Sequence, residues 1–168
     1  MQLISSTTVG VGGAATIDFT SIPGTYTDLV LVLSARATST TATITVAFNG
    51  SSASFTNIDL NGVAGFAPTS ATGTTLVGYA STTSHTASTF GNLSIFIPNY
   101  AGSANKNFSV DSVQENNGAT AVNLTLFANR WANTAAITQV TLSLANFAQY
   151  SSASLYGILK GSGGATVS

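Results

Sequence analysis

The chain has 168 residues, a formal net charge of −1 and no cysteine, and only 5% of its residues are charged, against about 25% in an ordinary soluble domain. The absence of cysteine excludes disulfides and thiolate metal sites, and four basic residues give no electrostatic footprint for nucleic acid. No segment approaches the ~20 apolar residues of a membrane helix, and the first residues lack a signal-peptide pattern, so we expect no membrane partner.

The uncharged surface is the main functional indication in the composition. Hydrophobic residues make up 44% of the chain, which is enough for a folded core. We predict one domain over residues 1–160 and a flexible tail over residues 161–168. Ser, Thr, Asn and Gly supply the polar surface, and a surface of this kind repels other molecules only weakly. This favours a chain that works inside an assembly, with an extracellular monomer that has a Thr-rich sheet face as the alternative.

The first part of the chain has the pattern of short strands separated by turns. Strands are predicted at Gln2–Thr8 and Ala14–Phe19, joined by a hairpin turn at Gly10–Gly13. Asp28–Ala37 begins as a continuous apolar run, which is typical of a strand buried on both faces or of an edge strand covered by a neighbour. Ala42–Phe48 alternates apolar and polar residues, as expected of a strand with one buried face.

The middle of the chain has the weakest pattern. The Asn49-Gly50 dipeptide is a strong hairpin signal. After it, short strands are predicted at Phe55–Leu60 and Thr74–Tyr79. The Ser/Thr-rich segment Ser81–Thr89 has the composition of a loop, and we expect the most mobile part of the chain between Ser51 and Thr89.

Alternation resumes in the second half, at Gly91–Pro98 and Lys106–Glu115. Pro98 is expected at a strand end because proline cannot donate a ladder hydrogen bond. Three further strands are predicted within Ala121–Leu159. In the first of them, an apolar series alternates with a polar series that Phe127 interrupts: Val122, Leu124, Leu126 and Ala128 against Asn123, Thr125 and Asn129.

These segments predict an all-β fold of about nine or ten short strands with no amphipathic helix. Regularly spaced strands separated by turn residues are typical of a sandwich or barrel. We predict an antiparallel two-sheet β-sandwich of jelly-roll type. An immunoglobulin-like sandwich is the alternative, although the chain lacks a Cys–Trp–Cys framework.

The sequence gives no catalytic or metal-binding motif, so we predict no enzyme activity, no cofactor and no metal. The single histidine, His85, lies in a Ser/Thr loop without an adjacent carboxylate to orient it. Asp111 and Glu115 would share a strand face at a separation of about 13 Å, which is too far for glycosidase chemistry. Loop Asp and Asn oxygens could bind calcium, yet no DxDxDG-like run is present.

Aromatic and basic residues define one candidate binding patch, formed by Tyr79, Tyr100, Arg130 and Trp131. Aromatic side chains and arginine are common at protein interfaces, and aromatic rings also stack on sugars. Trp131 has three possible roles: a core residue at the sandwich edge, a subunit-interface residue or a glycan contact.

Two segments resemble virion structural proteins of tailed bacteriophages. They are FTSIPGTYTDLVLVLSARA, from Phe19 to Ala37, and RWANTAAITQVTLSLANFAQYSSASLYGI, from Arg130 to Ile158. Together they cover under a third of the chain, and the segment from Ser51 to Thr89 carries no resemblance. The resemblance implies a β-sandwich that acts by binding, at the capsid or at the tail.

The first hypothesis is a capsid decoration, or cement, protein on the virion surface. It would act as a homotrimer that binds the major capsid protein and stabilises the assembled shell. Gln2, Leu3 and Ile4 in the N-terminal strand, and Lys160 with the tail Gly161–Ser168, are candidates to extend a neighbour's sheet edge.

The second hypothesis is a tail-fibre or receptor-binding module that recognises a host surface glycan. It would show exposed aromatic residues in one loop cluster. A secreted carbohydrate-binding domain is a third possibility, against which the lack of a signal-peptide pattern counts.

Overall fold

The computed structural model describes residues 1–62, 69–72, 74–114, 116–117 and 123–159. The described residues form twelve strands and no helix, which confirms the all-β prediction. In chain order the strands are β1 Gln2–Thr8, β2 Ala14–Phe19, β3 Asp28–Ala35, β4 Thr43–Phe48, β5 Phe55–Asn61, β6 Thr69–Thr72, β7 Leu76–Tyr79, β8 Gly91–Pro98, β9 Lys106–Gln114, β10 Asn123–Trp131, β11 Val140–Phe147 and β12 Ser152–Ile158.

The strands form two antiparallel sheets. The large sheet has eight strands in the order β1-β12-β3-β8-β9-β10-β5-β6, and the small sheet has four in the order β2-β11-β4-β7. Buried apolar residues from both sheets form one core between them, so the two-sheet sandwich is confirmed. The jelly-roll subtype stays a prediction at this point.

Alternation along the strands places the core. In β3, Leu29 and Leu31 are fully buried on the inner side, whereas Val32 is 42% exposed on the outer side. This strand lies between β12 and β8, so it is neither an edge strand nor buried on both faces, as its continuous apolar run had indicated. The outward-facing valines of the run contribute instead to an exposed surface.

An aromatic cluster joins the sheets at one end of the sandwich. Phe48 of the small sheet contacts Phe55, Phe108 and Trp131 of the large sheet, with ring centroids 5.5, 5.2 and 5.5 Å from its own. Edge-to-face and tilted arrangements of this kind are favourable, because they bring the positive edge of one ring to the negative face of another. All four rings are buried.

The glycine turns are present, but they do not make the predicted hairpins. Gly12 and Gly13 adopt positive φ angles between β1 and β2, which belong to different sheets. Asn49 and Gly50 also have positive φ, and Phe48 and Ser51 exchange backbone hydrogen bonds around them. The chain then crosses from β4 in the small sheet to β5 in the large sheet, so both hairpin predictions were wrong.

Other local predictions have clear outcomes. Pro98 ends β8 as expected. The weakly patterned segment after Ser51 contains β5 and β7, which confirm the strands predicted at Phe55–Leu60 and Thr74–Tyr79, and β6, which was not predicted. Glu115, Lys160 and the tail 161–168 lie outside the described residues.

Candidate functional site

The outer face of the large sheet carries an exposed apolar surface, here called the apolar face. Six of its large apolar side chains are between 39% and 56% exposed: Val32, Ile58, Leu60, Phe96, Leu124 and Leu126. Single exposed apolar residues are ordinary on protein surfaces, but a contiguous set on one sheet face is typical of an interaction site.

Strand β10 has the reverse of the usual polarity. Its apolar residues Leu124 and Leu126 face solvent, while Thr125 and Asn129 are buried together with Phe127. Because side chains alternate along a strand, turning Phe127 inward necessarily turns the leucines outward. The interior therefore contains polar groups and the surface contains leucines, an arrangement that fits a surface covered by another molecule.

The inward polar side chains are poorly satisfied. Asn57 is the cross-strand partner of Asn129, and both are 5% exposed. Their Oδ1 and Nδ2 atoms, respectively, find no hydrogen-bond partner among the described residues, nor does the indole Nε1 of Trp131. A buried unsatisfied polar atom costs about 1–3 kcal/mol, so packing of the aromatic rings determines which way these strands face.

A groove of about 700 Å³ lies within the apolar face, across β5, β10, β9 and β8. Its floor is low because two small residues, Ala128 and Ser109, are paired at its centre. Ile58 and Phe96 stand on either side of them, and Arg130 lies toward one end. The groove is thus an apolar depression with a cation at its edge.

The apolar face carries few charges. On the four strands around the groove, the described outward-facing charged residues are Arg130 and Asp111. Arg130 is paired with Asn107, and Asp111 lies four residues further along β9, a distance of about 13 Å at ~3.3 Å per residue. The two side chains are therefore too far apart to form a salt bridge within one chain.

The opposite outer face of the sandwich, on the small sheet, is polar. Asp18 accepts hydrogen bonds from the hydroxyls of Thr16 and Thr141, at 2.8 and 2.5 Å. Thr43 on β4 is also exposed there. The two outer faces therefore differ in chemistry, and among the described residues the extended apolar surface lies on the large sheet.

A second candidate surface is the edge formed by β1. Among the described strands, β1 is at the end of the large sheet and is paired on one side, with β12. Six of its seven residues are exposed, and it contains neither a charge nor a proline. Gln2 and Leu3 lie on this edge, whereas Ile4, at a bulge, is half-buried against the core.

Of the remaining predicted interface residues, one is exposed at the surface and two lie in the core. Arg130 is exposed on the apolar face, as required for contact. Tyr100 and Trp131 are 0% and 1% exposed, so both are core residues and cannot meet a partner at the surface. The Tyr100 hydroxyl donates to the carbonyl of Pro23, and burial raises its pKa. Lys160 lies outside the described residues.

The fourth aromatic residue of the predicted patch, Tyr79, is half-buried at the end of β7. Burial, with a smaller contribution from the negative charge of Asp59, raises the pKa of Tyr79. The structure therefore does not bring the predicted aromatic patch together.

Sequence reasoning missed the exposed leucines of β10. The available signal was that both series of this strand contain large apolar residues, with Phe127 and Trp131 on one side and Leu124 and Leu126 on the other. A strand with large apolar residues on both faces needs a packing partner on each face. In a two-sheet sandwich, the second sheet of the chain packs against one of these faces, and the other face is left for another molecule.

The loop that contains His85 is held by hydrogen bonds from the half-buried side chain of Arg36. Arg36 donates from its guanidinium to the backbone carbonyls of His85, Thr86 and Thr89. The imidazole Nδ1 of His85 accepts a hydrogen bond from the backbone of Thr82 at 3.3 Å. The segment expected to be most mobile thus contains a well-connected loop, and its histidine has a structural role there.

The described residues contain no group of three or more His, Asp or Glu side chains that could hold a metal ion. Lys106 is buried, its Nζ donates to the carbonyls of Gly102, Ala104 and Thr134, and burial lowers its pKa. In the part of the chain that is described, no helix is long and apolar enough to cross a bilayer.

Comparison of the chain with protein-family models, with curated proteins and with solved structures gives no significant match. The functional argument therefore rests on the two surfaces, the apolar face and the β1 edge.

Proposed function

We propose that this chain is a capsid decoration protein, which binds the assembled shell of a tailed bacteriophage and stabilises it. The observation that carries the proposal is the outer edge of β1, with which no other described strand pairs. Natural sheet proteins guard such edges with charges, prolines or a covering segment, because an unpaired edge accepts strands from other chains. β1 has neither a charge nor a proline.

Strand addition gives this edge a mechanism. An extended segment of the major capsid protein would pair with the backbone of β1, and the exposed side chain of Leu3, which is 52% exposed, would add an apolar contact. A protein that binds the assembled lattice but not its free subunits stabilises the lattice by mass action. The nearly uncharged surface supports close packing on the shell, since few ions have to be desolvated.

The strand order supports the jelly-roll subtype. Consecutive strands β2 to β5 alternate between the two sheets. The small sheet has the order β2-β11-β4-β7, and the large sheet contains β3 beside β8 and β5 beside β6. In a jelly roll, the strands of two facing sheets follow one another in this interleaved way. The hairpin β9–β10 would be an insertion between β8 and β5, while β1 and β12 extend the other side of the same sheet.

The two segments that resemble phage virion proteins are neighbours in the fold. Asp28–Ala35 of the first segment pairs along its length with Ser152–Ile158 of the second. This adjacency supports a common structural unit behind the resemblance. The homotrimer, the major capsid protein as partner and the capsid surface as location are parts of the same proposal.

Receptor binding at the tail has less support. It would be favoured by exposed aromatic rings gathered in one loop cluster, but Tyr100 and Trp131 are buried. Tyr150, at 68% exposure, stands in a different turn from the half-buried Tyr79.

The test uses particles that lack the protein and are then supplied with purified variants. The double substitution S5K/T7K puts two cations on the exposed β1 edge, which should prevent strand addition while leaving the fold intact. We expect wild-type protein to raise the temperature at which capsids release DNA and S5K/T7K to bind at least tenfold less. Thr43→Lys, an equally exposed change on an interior strand of the small sheet, is the matched control.

Copy number gives the decisive second measurement. Hundreds of copies per particle, in a simple ratio to the major capsid protein, are expected. A few copies would place the chain on the tail, and none would remove it from the virion. Either result, or equal binding by S5K/T7K and wild type, would refute the proposal.

A further inference from the structure

The centre of the apolar face has a regular layout that is set by strand register. Its middle row is low: Ala128 is paired with Ser109, and Ile58 and Phe96 continue the row on either side. Small residues flanked by large ones form a depression into which side chains of another surface can fit.

The rows on either side of this middle row differ in height and in charge. One row contains Arg130 and its partner Asn107, which border the groove. The other contains Leu60 and Leu126, which are paired and about half exposed, followed by Asp111. One flanking row thus carries a cation at the border of the groove, and the other carries two exposed leucines and an anion.

We propose that the apolar face pairs with the same face of a second copy of this chain. A two-fold axis lying in the plane of contact, along the middle row, exchanges the two outer rows. Leu60 and Leu126 of each copy then lie over Thr56 and Arg130 at the border of the other copy's groove, and each Asp111 lies one strand away from the partner's Arg130. A surface that matches itself in this way is what an isologous dimer requires.

The chemistry favours a second copy over an unrelated occupant. On the four strands around the groove, the described outward-facing charges are one cation and one anion, which are too far apart to neutralise each other within the chain and which the two-fold arrangement brings near each other. Asp28 faces outward on the next strand, β3, where its carboxylate accepts a hydrogen bond from the backbone of Asn99. If the axis followed one of the outer rows instead, Arg130 or Asp111 would face its own counterpart in the second copy. Repulsion between these like charges therefore favours the axis along the middle row. Along the axis, the apolar side chains of Ile58 and Phe96 each face their own counterparts in the second copy.

The size of the face is adequate. The strands from β5 to β12 in the large sheet span roughly 30 by 20 Å at about 4.8 Å between strands and about 3.3 Å per residue. This is of the order of the about 800 Å² that each partner buries in an ordinary stable interface. Two sheets packed face to face at about 10 Å also reproduce the geometry of a sandwich interior.

The contact is independent of the proposed binding to a capsid, because the β1 edge lies at the border of the sheet and remains open. A two-fold contact requires an even number of copies. A trimer on the shell would therefore use this face to join a second trimer.

Sedimentation of the purified full chain tests the inference without any capsid. We expect wild-type protein to reach twice the 16.9 kDa chain mass, or another even multiple, as its concentration rises. Leu126→Lys should weaken the association at least tenfold, because the two-fold sets position 126 of one copy against the cation of Arg130 in the other. Val11→Glu, at a residue 89% exposed on a turn away from the face, should leave the association unchanged.

Exchanging the charges at positions 130 and 111 tests how the two copies are aligned. R130D and D111R should each associate at least tenfold more weakly than wild type, since each sets like charges against each other. An equal mixture of the two variants should associate as wild type does, because both contacts in the mixed dimer are again complementary. An unchanged melting temperature in each variant shows that the fold is retained.

Three results would overturn the inference. They are a wild-type chain that stays monomeric at millimolar concentration, an odd-numbered assembly, and a mixture of R130D and D111R that fails to associate. A capsid protein or small apolar ligand that binds the face of a monomeric chain would overturn it in the same way. None of these results bears on strand addition at β1, which the capsid assay measures separately.

Discussion

At the scale of single residues, Phe48 shows how one ring can determine the exposure of others. It extends from the small sheet into a site bordered by Phe55, Phe108 and Trp131. To meet it, the aromatic residues of β10 and β5 must face inward. The leucines and isoleucine that alternate with them then have no place except the outer face. The exposed apolar surface is therefore a direct consequence of the aromatic core.

Substitution of Phe48 measures how much this aromatic cluster contributes to the stability of the fold. Phe48→Ala should lower the free energy of unfolding by about 3–5 kcal/mol, because it removes a fully buried ring and leaves a cavity between the sheets. Chemical denaturation at low protein concentration is the measurement. Phe96→Ala, which removes a ring that is 39% exposed on the apolar face, should cost much less under the same conditions. Equal losses in the two variants would contradict the assignment of Phe48 to the core.

At the scale of elements, turns were easier to predict from sequence than the pairing of the strands they connect. Asn49-Gly50 and Gly10–Gly13 turn the chain as their composition indicates. Whether the next strand pairs with the previous one or crosses to the other sheet depends on where its apolar side finds a cover. That is a property of the whole sandwich, so local signals predicted hairpins where crossings exist.

Asn49 has two roles: its backbone forms the turn after β4, and its side chain holds the loop before β11 by hydrogen bonds. Substitution of Asn49 tests both roles. Its Oδ1 accepts from the backbone of Thr138 at 2.8 Å and of Gln139 at 3.1 Å, and its Nδ2 donates to Ala136 at 2.8 Å. Asn49→Ala should destabilise the protein by about 2–4 kcal/mol, through the lost hydrogen bonds and the positive φ of 52°.

Asn49→Gly separates the two contributions. It loses the same hydrogen bonds but tolerates a positive φ, so it should be about 1 kcal/mol more stable than the alanine variant in the same denaturation experiment. If the two variants are equally stable, the backbone conformation at this turn contributes nothing measurable.

The strands themselves were largely predictable, but their exposure was not. Alternation in β8 and β12 correctly indicated which residues are buried, because one series in each strand is clearly more apolar. In β10 and β3 both series contain large apolar residues, and only the neighbouring sheet decides between them. Contact with a partner through β1 stays a prediction, whereas burial assigns Trp131 to the core, one of its three possible roles.

At the scale of the whole molecule, few charges leave stability dependent on a small number of titrating groups. Burial raises the pKa of both Tyr79 and Tyr100 above the usual value of 10.0. A raised pKa in the folded state means that the unfolded chain releases these protons first. The stability contributed by the neutral tyrosines is therefore complete below pH 10.0 and decreases as pH rises through their folded-state pKa values.

A double variant isolates this effect. Y79F/Y100F cannot titrate at these positions, so we expect its free energy of unfolding to approach and then exceed that of wild type as pH rises above about 10. Denaturation of both proteins at a series of alkaline pH values is the measurement. The comparison cancels the opposing contribution of Lys106, whose pKa is lowered and which both proteins retain. A constant difference between them across this range would contradict burial of the two hydroxyls.

The pairing of β1 with β12 also sets the order in which the protein can be completed during translation. Gln2 is paired with Gly157, so β1 cannot form this pairing until β12 has also left the ribosome. At about 5–20 residues per second, that interval is roughly 8–30 s. Throughout it, β1 is free on both of its edges. A cell that makes many copies at once would therefore hold a large transient population of nascent chains with an unpaired strand, and prompt assembly or chaperone binding would protect them.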